Sequence, residues 1–442
     1  MAFNLGKLFG KKESGVAPDA PRPPEYGPDH PVQAFVRRDA LFDRERKPAG
    51  HVFRLQHLDA GLGDAPTERQ LLLDDTLLRA LCASTDTWGS LTAFLPLSSE
   101  SIHNPWLDQL PATNAVILLH LAPETTDIAK FAARLSELHR TGLRFGVLRQ
   151  PRHPAHATAL LFADFAAIDT KTAQGNEIRD FSIAMRSDEM RRPVELVAAN
   201  IESTDDLQLC VQSRFALYHG PFFGRPRSAA LPRSDPNKLN LIHLYNLAQS
   251  DAENSQLSTA LKQDPNLTYR ILRYLNSAAV GLSRPLASID QALVLLGRQR
   301  LARWISILLF SVRDADFSEW LLVESALVRG RMMELLGSGI FPATEADQLF
   351  LTGVFSRLDK LLRIPLSDAL SQITLPAPVR EALIDRSGRY GSLLSVVEAA
   401  EASGEFPIEA LSKNAGLDSE AVNRALIAAT TWANDATSEW ET

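Results

Sequence analysis

The sequence predicts an α/β barrel followed by an all-helical domain, and three observations carry that expectation. At 442 residues the chain is long enough for two domains, each with a full core. From Val32 to about residue 228, short apolar runs alternate with helical patterns, the texture of a (β/α) barrel. Beyond Asp235 apolar residues recur at helical spacing, most clearly between Asp264 and Gly297.

Residues 1–31 are expected to be a flexible tail, because 13–32 contain six prolines and almost no apolar content. Within the first twelve residues, Phe3, Leu5, Leu8 and Phe9 lie near Lys7, Lys11 and Lys12, the pattern of a short docking or membrane-touching helix made marginal by two glycines. The barrel spans 32–228. Its expected strands are Gln33–Val36, His51–Leu55, Leu91–Leu97, Ala115–Leu121, Arg144–Leu148, Ala159–Ile168, Val194–Ile201 and Ala216–His219. Helical patterns fill Arg69–Ala83, Thr126–His139, Thr172–Arg191 and Thr204–Ser213.

The helical domain spans 235–406. In it Asp264 stands at a helix N-cap and Pro265 at the first helical position, where its missing N–H is not needed. Leu267, Ile271, Leu272 and Leu275 form the apolar stripe, and Asn276 and Ser277 end it. Ser288 and Gln291 compose a capping box for a second helix that stops at Gly297. Residues 407–442 read as a helical extension, Ile408–Lys413 and Ser419–Ala433, able to pack on either domain.

The stretch DPNLTYRILRYLNSAAVGLSRPLASIDQALVLLG closely resembles the HDOD domain, an all-helical relative of the HD and HD-GYP phosphohydrolases. Asp264, Pro265, Asn276, Ser277 and Gly297 are its motif positions, read here as structural. The resemblance implies that a His-Asp metal dyad would fall within Gly353 to Leu361, where Ser356 and Arg357 stand instead. A guanidinium at a ligand position repels a cation, and no histidine follows His243.

The opening VQAFVRRDALFDRERKPAGHVFRLQ and the closing NIESTDDLQLCVQSRFALYHGPFFGRP resemble the ends of the EAL domain, a barrel that hydrolyses cyclic di-GMP at a two-metal centre. Carried over by position, the signature Glu falls on Val52, followed by Phe53 and Arg54. The strand-borne Asn falls on Pro96, the next Glu on Leu119 or His120, and the paired aspartates on Leu148 and Arg149. Ala167 replaces a Lys although Ile168 and Asp169 remain. Ala199 replaces a Glu although Glu202 remains, and His219 replaces a Gln. Aliphatic side chains cannot ligate a hard cation, so the barrel is identified as a degenerate EAL domain. Asp169 and Glu202 are expected to pair with Arg149, and His120 and His219 to be packed barrel residues.

Composition fits this picture. Two cysteines, Cys82 and Cys210, suit a reducing compartment and no disulfide framework. No secretory signal opens the chain, and apolar runs such as Ile305 to Phe310 are too short to span a bilayer, so the expected location is the cytoplasm. The net charge of −7 makes nucleic acid an unfavoured partner. Residues 233–313 are basic, with ten Lys and Arg against five acidic residues, and 314–442 are acidic, with ten against twenty. Arg298, Arg300 and Arg303 are the candidate partner surface. The resemblances together imply a bacterial-type signal transduction protein that is not an enzyme and needs no cofactor or metal, acting as adaptor or scaffold through protein partners and linked to cyclic di-GMP pathways. Two alternatives stand beside it: a regulator that binds a cyclic dinucleotide without cleaving it, and a residual phosphodiesterase.

Overall fold

The computed structural model describes residues 34–56, 67–187, 193–223, 236–250, 253–276, 285–310, 317–402 and 407–438. The N-terminal tail, Ser277 and the connection after it lie outside the described residues.

Eight strands close into a barrel in sequence order. Strands β1 (Val36–Phe42) and β2 (Pro48–Leu55) form an antiparallel hairpin, and β2 to β8 run parallel. The remaining strands are β3 (Ala93–Ser98), β4 (Ala115–His120), β5 (Arg144–Leu148), β6 (Phe165–Asp169), β7 (Glu195–Ala199) and β8 (Leu217–Tyr218). Helices α1 (Thr67–Cys82), α2 (Ile128–Arg140), α3 (His156–Leu160), α4 (Gly175–Met185) and α5 (Thr204–Gln212) fill the crossovers. Two 3-10 turns, Ser99–His103 and Pro105–Gln109, join β3 to β4.

Two strand expectations shift. The first strand begins where Gln33–Val36 was expected to end, because Arg37, Arg38 and Asp39 disguise an alternating segment whose charges all find partners. The run Ala159–Ile168 divides into the end of α3, a turn and β6; a continuous apolar run has no period that separates strand from helix.

Side chains from successive strands fill the lumen: Leu41, Val52, Phe94, Val116, Leu118, Phe165, Ala167, Val197 and Leu217 form one buried cluster. The hairpin has consequences outside. No crossover helix lies between β1 and β2; the barrel's own Phe223 meets Phe42, ring centroids 5.1 Å apart, at one end of the outer face of β1. The helical domain also covers that face. Helix α10 (below) sets Phe317 against Phe42 and Phe223, with ring centroids 5.0 and 4.7 Å away.

The second half is helical throughout: α6 (Pro236–Gln249), α7 (Asn254–Lys262), α8 (Pro265–Leu275), α9 (Ile289–Phe310), α10 (Phe317–Gly337), α11 (Ala346–Phe355), α12 (Leu358–Leu362), α13 (Leu366–Ser371), α14 (Ala377–Asp385), α15 (Gly388–Glu401), α16 (Ile408–Asn414) and α17 (Ser419–Ser438). The motif positions do local work. Asp264 Oδ1 accepts from the Leu267 amide at 3.0 Å, capping α8. Asn276 accepts from the Leu286 amide at 2.6 Å and donates to the Leu286 carbonyl at 2.9 Å, so one side chain clasps both ends of the α8–α9 connection. Ser288 Oγ accepts from the Gln291 amide at 3.2 Å, while Gln291 Oε1 accepts from Ala287 N, one residue earlier than a capping box requires. At Gly297 the backbone takes φ 75°, ψ 170°, and helix resumes at once. Glycine permits that positive φ, and the expected stop is a kink within α9.

Helix α17 packs along α10 and also reaches the barrel. Asn423 Oδ1 accepts from Val36 N at 2.8 Å, and its Nδ2 donates to the Ala34 carbonyl at 2.7 Å. Thr431 donates to the Thr87 and Trp88 carbonyls, 2.8 and 3.1 Å away. The C-terminal extension thus touches both domains. Residues Gln33–Thr442 form one compact unit.

Candidate functional site

Two polar centres interrupt these cores, one in the barrel mouth and one where the helical domain meets the barrel. Parallel strands aim their C-terminal ends at the mouth, the usual location of a barrel's binding site. There the inward positions turn from apolar to polar. Arg37 and Arg54 are cross-strand partners on the inner face of the hairpin, and Asp39 lies opposite Val52. Arg37 makes a forked pair with Asp39, Nε to Oδ1 at 3.2 Å and Nη2 to Oδ2 at 3.1 Å. His219 Nε2 approaches Asp39 Oδ2 at 4.0 Å from the far side of the hairpin.

Around the rim, Gln150 Nε2 lies 3.2 Å from His120 Nε2, Arg149 pairs with Glu177 at 3.2 Å, Asn200 donates to Asp169 at 2.9 Å, and Lys171 lies 3.6 Å from Glu202. Burial opposes ionisation of Asp39, but His219 and Arg37 outweigh it and hold the carboxyl well below the usual range. Burial, with Arg54 and Arg37 nearby, lowers the His219 pKa despite Asp39. Asp169 and Glu202 do not meet Arg149, because Asn200 and Lys171 reach them first.

The second centre is built from α10, the end of α11 and α15. Gly353 lets α11 cross α10 at backbone contact: a Cβ there would lie 2.4 Å from the Arg329 carbonyl. That crossing delivers Ser356 and Arg357 to Arg329. Arg329 Nη1 donates to Ser356 Oγ and to Glu398 Oε1, both at 3.0 Å, and its Nε donates to Glu401 Oε2 at 2.6 Å. Arg357 Nε donates to Ser325 Oγ at 2.8 Å, and Ser325 donates to Glu401 at 2.9 Å. Arg386 pairs with Glu398 at 2.9 Å.

The barrel completes the cluster. Arg38, on the outer face of β1, pairs with Glu324 at 2.7 Å and lies 3.7 Å from Glu401. His51, on the outer face of β2, hydrogen-bonds Glu324 as well. Arg38, Glu324, Glu401 and Arg329 keep only 7–10% of their side-chain surface.

The HDOD domain family matches residues 236–374. The chain carries an HDOD domain. In architecture it is a closed eight-stranded barrel followed by a helical half that contains the HDOD match. The chain is 26% identical over 328 residues to the cyclic di-GMP phosphodiesterase CdgJ of Vibrio cholerae, covering 74% of each. It is 27% identical over 247 residues to the uncharacterized protein YuxH of Bacillus subtilis, covering 55% of this chain and 60% of that one. Among solved structures it is similar to the Bacillus subtilis YkuI protein, with an EAL domain, in complex with cyclic di-GMP and calcium. That likeness covers 59% of this chain and 73% of the other, at 16% identity and a TM-score of 0.35.

The residues at the expected metal positions do not fit a divalent cation. Val52, where the signature Glu would stand, belongs to the apolar filling of the lumen. In the HDOD domain, Ser356 and Arg357 are committed to an ion-pair cluster that contains three guanidiniums besides Arg38. No group of three or more His, Cys, Asp or Glu able to hold a metal occurs among the described residues.

The expected partner surface needs correction. Of the three arginines only Arg300 is exposed. Arg298 donates to the Leu247 carbonyl at 2.8 Å. Arg303 lies 3.8 Å over the Phe350 ring and pairs with Glu334 at 2.8 Å and Asp347 at 3.1 Å. Acidic partners on α10 and α11 draw it off the surface, so the three do not make one free basic face.

Sequence reasoning missed the charge cluster. A signal existed: Arg38, His51, Glu324, Glu398 and Glu401 occupy positions of apolar strand and helix faces, where an unmatched charge is costly. Acid should test it. Burial works against Glu324 ionising, but Arg38 and His51 prevail and lower its pKa to about 2. Glu401 is lowered likewise, by Arg329, Arg357 and Arg38 against burial. A depressed carboxylate adds stability above its unfolded pKa near 4.5 and loses it as pH falls toward the folded value. Denaturation midpoints should therefore fall between pH 4.5 and 2, with Glu324 alone contributing about 3 kcal/mol. Glu324→Gln should flatten that slope, and an equal slope in the variant would contradict the assignment.

Proposed function

We propose that this chain is a non-catalytic signal transduction protein of cyclic di-GMP pathways, acting as an adaptor through protein–protein contacts. The observation that carries this reading is the fate of Ser356 and Arg357. The positions of the expected dyad are engaged in a closed network of ion pairs that leaves a cation nothing to bind. The lumen-facing Val52 and Ala167 support the same reading for the barrel. The link to cyclic di-GMP rests on the likeness to CdgJ. No described helix is long and apolar enough to cross a membrane.

Incubation of the full chain with cyclic di-GMP and Mn²⁺ or Mg²⁺ should leave the dinucleotide undiminished. Metal-dependent appearance of the linear dinucleotide would sink the reading in favour of a residual phosphodiesterase. Affinity capture should recover signalling partners whose retention depends on residues 233–406.

A second reading has its own observation. Arg37, Arg54, Arg149, Lys171 and His219 converge on the barrel mouth, a set suited to the phosphodiester groups of a cyclic dinucleotide held without cleavage. Calorimetry with cyclic di-GMP, with and without Mg²⁺, tests it; an absence of heat at high micromolar ligand would end it.

A further inference from the structure

Strand β1 carries charge on both faces over three consecutive residues. Arg37 and Asp39 point into the barrel mouth, and Arg38 between them points into the HDOD charge cluster. We propose that β1 relays occupancy of the mouth by a phosphodiester anion to the cluster, changing how firmly α10 and α15 hold the barrel. The proposal rests on the second reading above and adds to it the route by which binding would reach the helical domain.

The chemistry at each end supports a relay. The Arg37 fork is satisfied by Asp39, and a phosphodiester arriving beside Arg37 and Arg54 competes with that carboxylate for the same guanidinium face. Asp39 then has His219 as its remaining close partner, and the pleat carrying residues 37 and 39 must accommodate the exchange. Residue 38 shares peptide planes with both neighbours, so its side chain moves with them.

On the outer face, the Arg38 guanidinium bridges two carboxylates unequally, with Nη1 2.7 Å from Glu324 and Nη2 3.7 Å from Glu401. Its Nε has no partner. A shift of about 1 Å toward Glu401 would bring Nη2 into hydrogen-bond range of that carboxylate and tilt the guanidinium away from Glu324. Glu324 also binds His51, and Glu401 also binds Arg329, Ser325 and Arg357, so the two positions of Arg38 load α10 and α15 differently. Such a choice between two arrangements in a nearly dry cluster is the bistable element that coupling between sites requires. Helix α10 continues from Glu324 to Phe317 against the barrel, which carries the change along the whole contact.

The test uses the full chain with cyclic di-GMP as probe, combining calorimetry with hydrogen exchange of peptides from 317–337 and 388–401. Binding should change exchange in both helices several-fold. Arg38→Met, which keeps bulk and lies outside the mouth, should still bind the dinucleotide but leave both helices unresponsive. Reciprocity adds a readout that does not depend on that variant folding: Glu324→Gln should shift the cyclic di-GMP affinity by about 5-fold or more. Binding by the unaltered protein with no change in either helix would overturn the relay and leave the mouth reading standing. No binding at all would overturn both.

Discussion

Replacing Glu401 with alanine should destabilise the folded chain by about 3–5 kcal/mol, the range for removing one partner from a buried charge pair. The carboxylate is the hub of the cluster. One oxygen accepts from Arg329 Nε at 2.6 Å and Ser325 Oγ at 2.9 Å and lies 3.5 Å from Arg357, and the other faces Arg38 at 3.7 Å. Alanine would leave three guanidiniums near each other with Glu324 and Glu398 as the remaining anions. Glu401→Gln should cost less, since it keeps an acceptor while removing the charge. The denaturant midpoint of each variant measures the effect. A loss below about 1 kcal/mol for alanine would mean the pairs behave as solvated surface pairs do. Because Arg38 belongs to the barrel, the loss should appear in barrel and helical probes together.

Gly353→Ala should be nearly as damaging for a different reason. The added Cβ would stand 2.4 Å from the Arg329 carbonyl carbon and oxygen and 2.5 Å from Gly330 N. All are backbone atoms and cannot swing aside. Gly330 reinforces the crossing, since a Cβ there would meet Val354 at 2.7 Å and Phe350 at 3.0 Å. Forcing α10 and α11 apart should cost about 1–3 kcal/mol and carry Ser356 and Arg357 away from Arg329. Thermal unfolding reads the first effect and the acid dependence of stability the second. Gly339, with open space around its Cβ position, supplies the control: Gly339→Ala should leave the melting curve unmoved.

Much of the architecture was legible because it rests on local signals. Most strands from β2 onward, the Asp264 cap and the Gly297 break follow from alternation, capping chemistry and φ preference, each readable within a few residues; β6 does not, because the run Ala159–Ile168 has no period to divide it. Strand β1 was harder, since its charges are meaningful only once Glu324, Glu401 and His219 are brought beside them from far along the chain. Arg303 shows the same limit. In sequence it is one of three arginines near a kink; in space it is the only one matched by Glu334, Asp347 and the face of Phe350. The vacated ligand positions were visible as residue types. What replaced the dyad was not, because a salt-bridge cluster has no fixed spacing.

The hydrogen bonds joining Asn423 to Val36 and Ala34 span 387 and 389 residues of chain. Strand β1 is synthesised early, yet part of its backbone pairing is supplied by the final helix. At about 5–20 residues per second the ribosome would need roughly 20–80 s to deliver that partner. The hairpin meanwhile exposes an outer face bearing Phe42 and an unmatched Arg38, with α10 also still to come. The nascent barrel therefore passes through a long interval with its first edge uncovered. Refolding of the full chain should show a slow phase set by docking of the helical half, and chaperone dependence should concentrate on that edge.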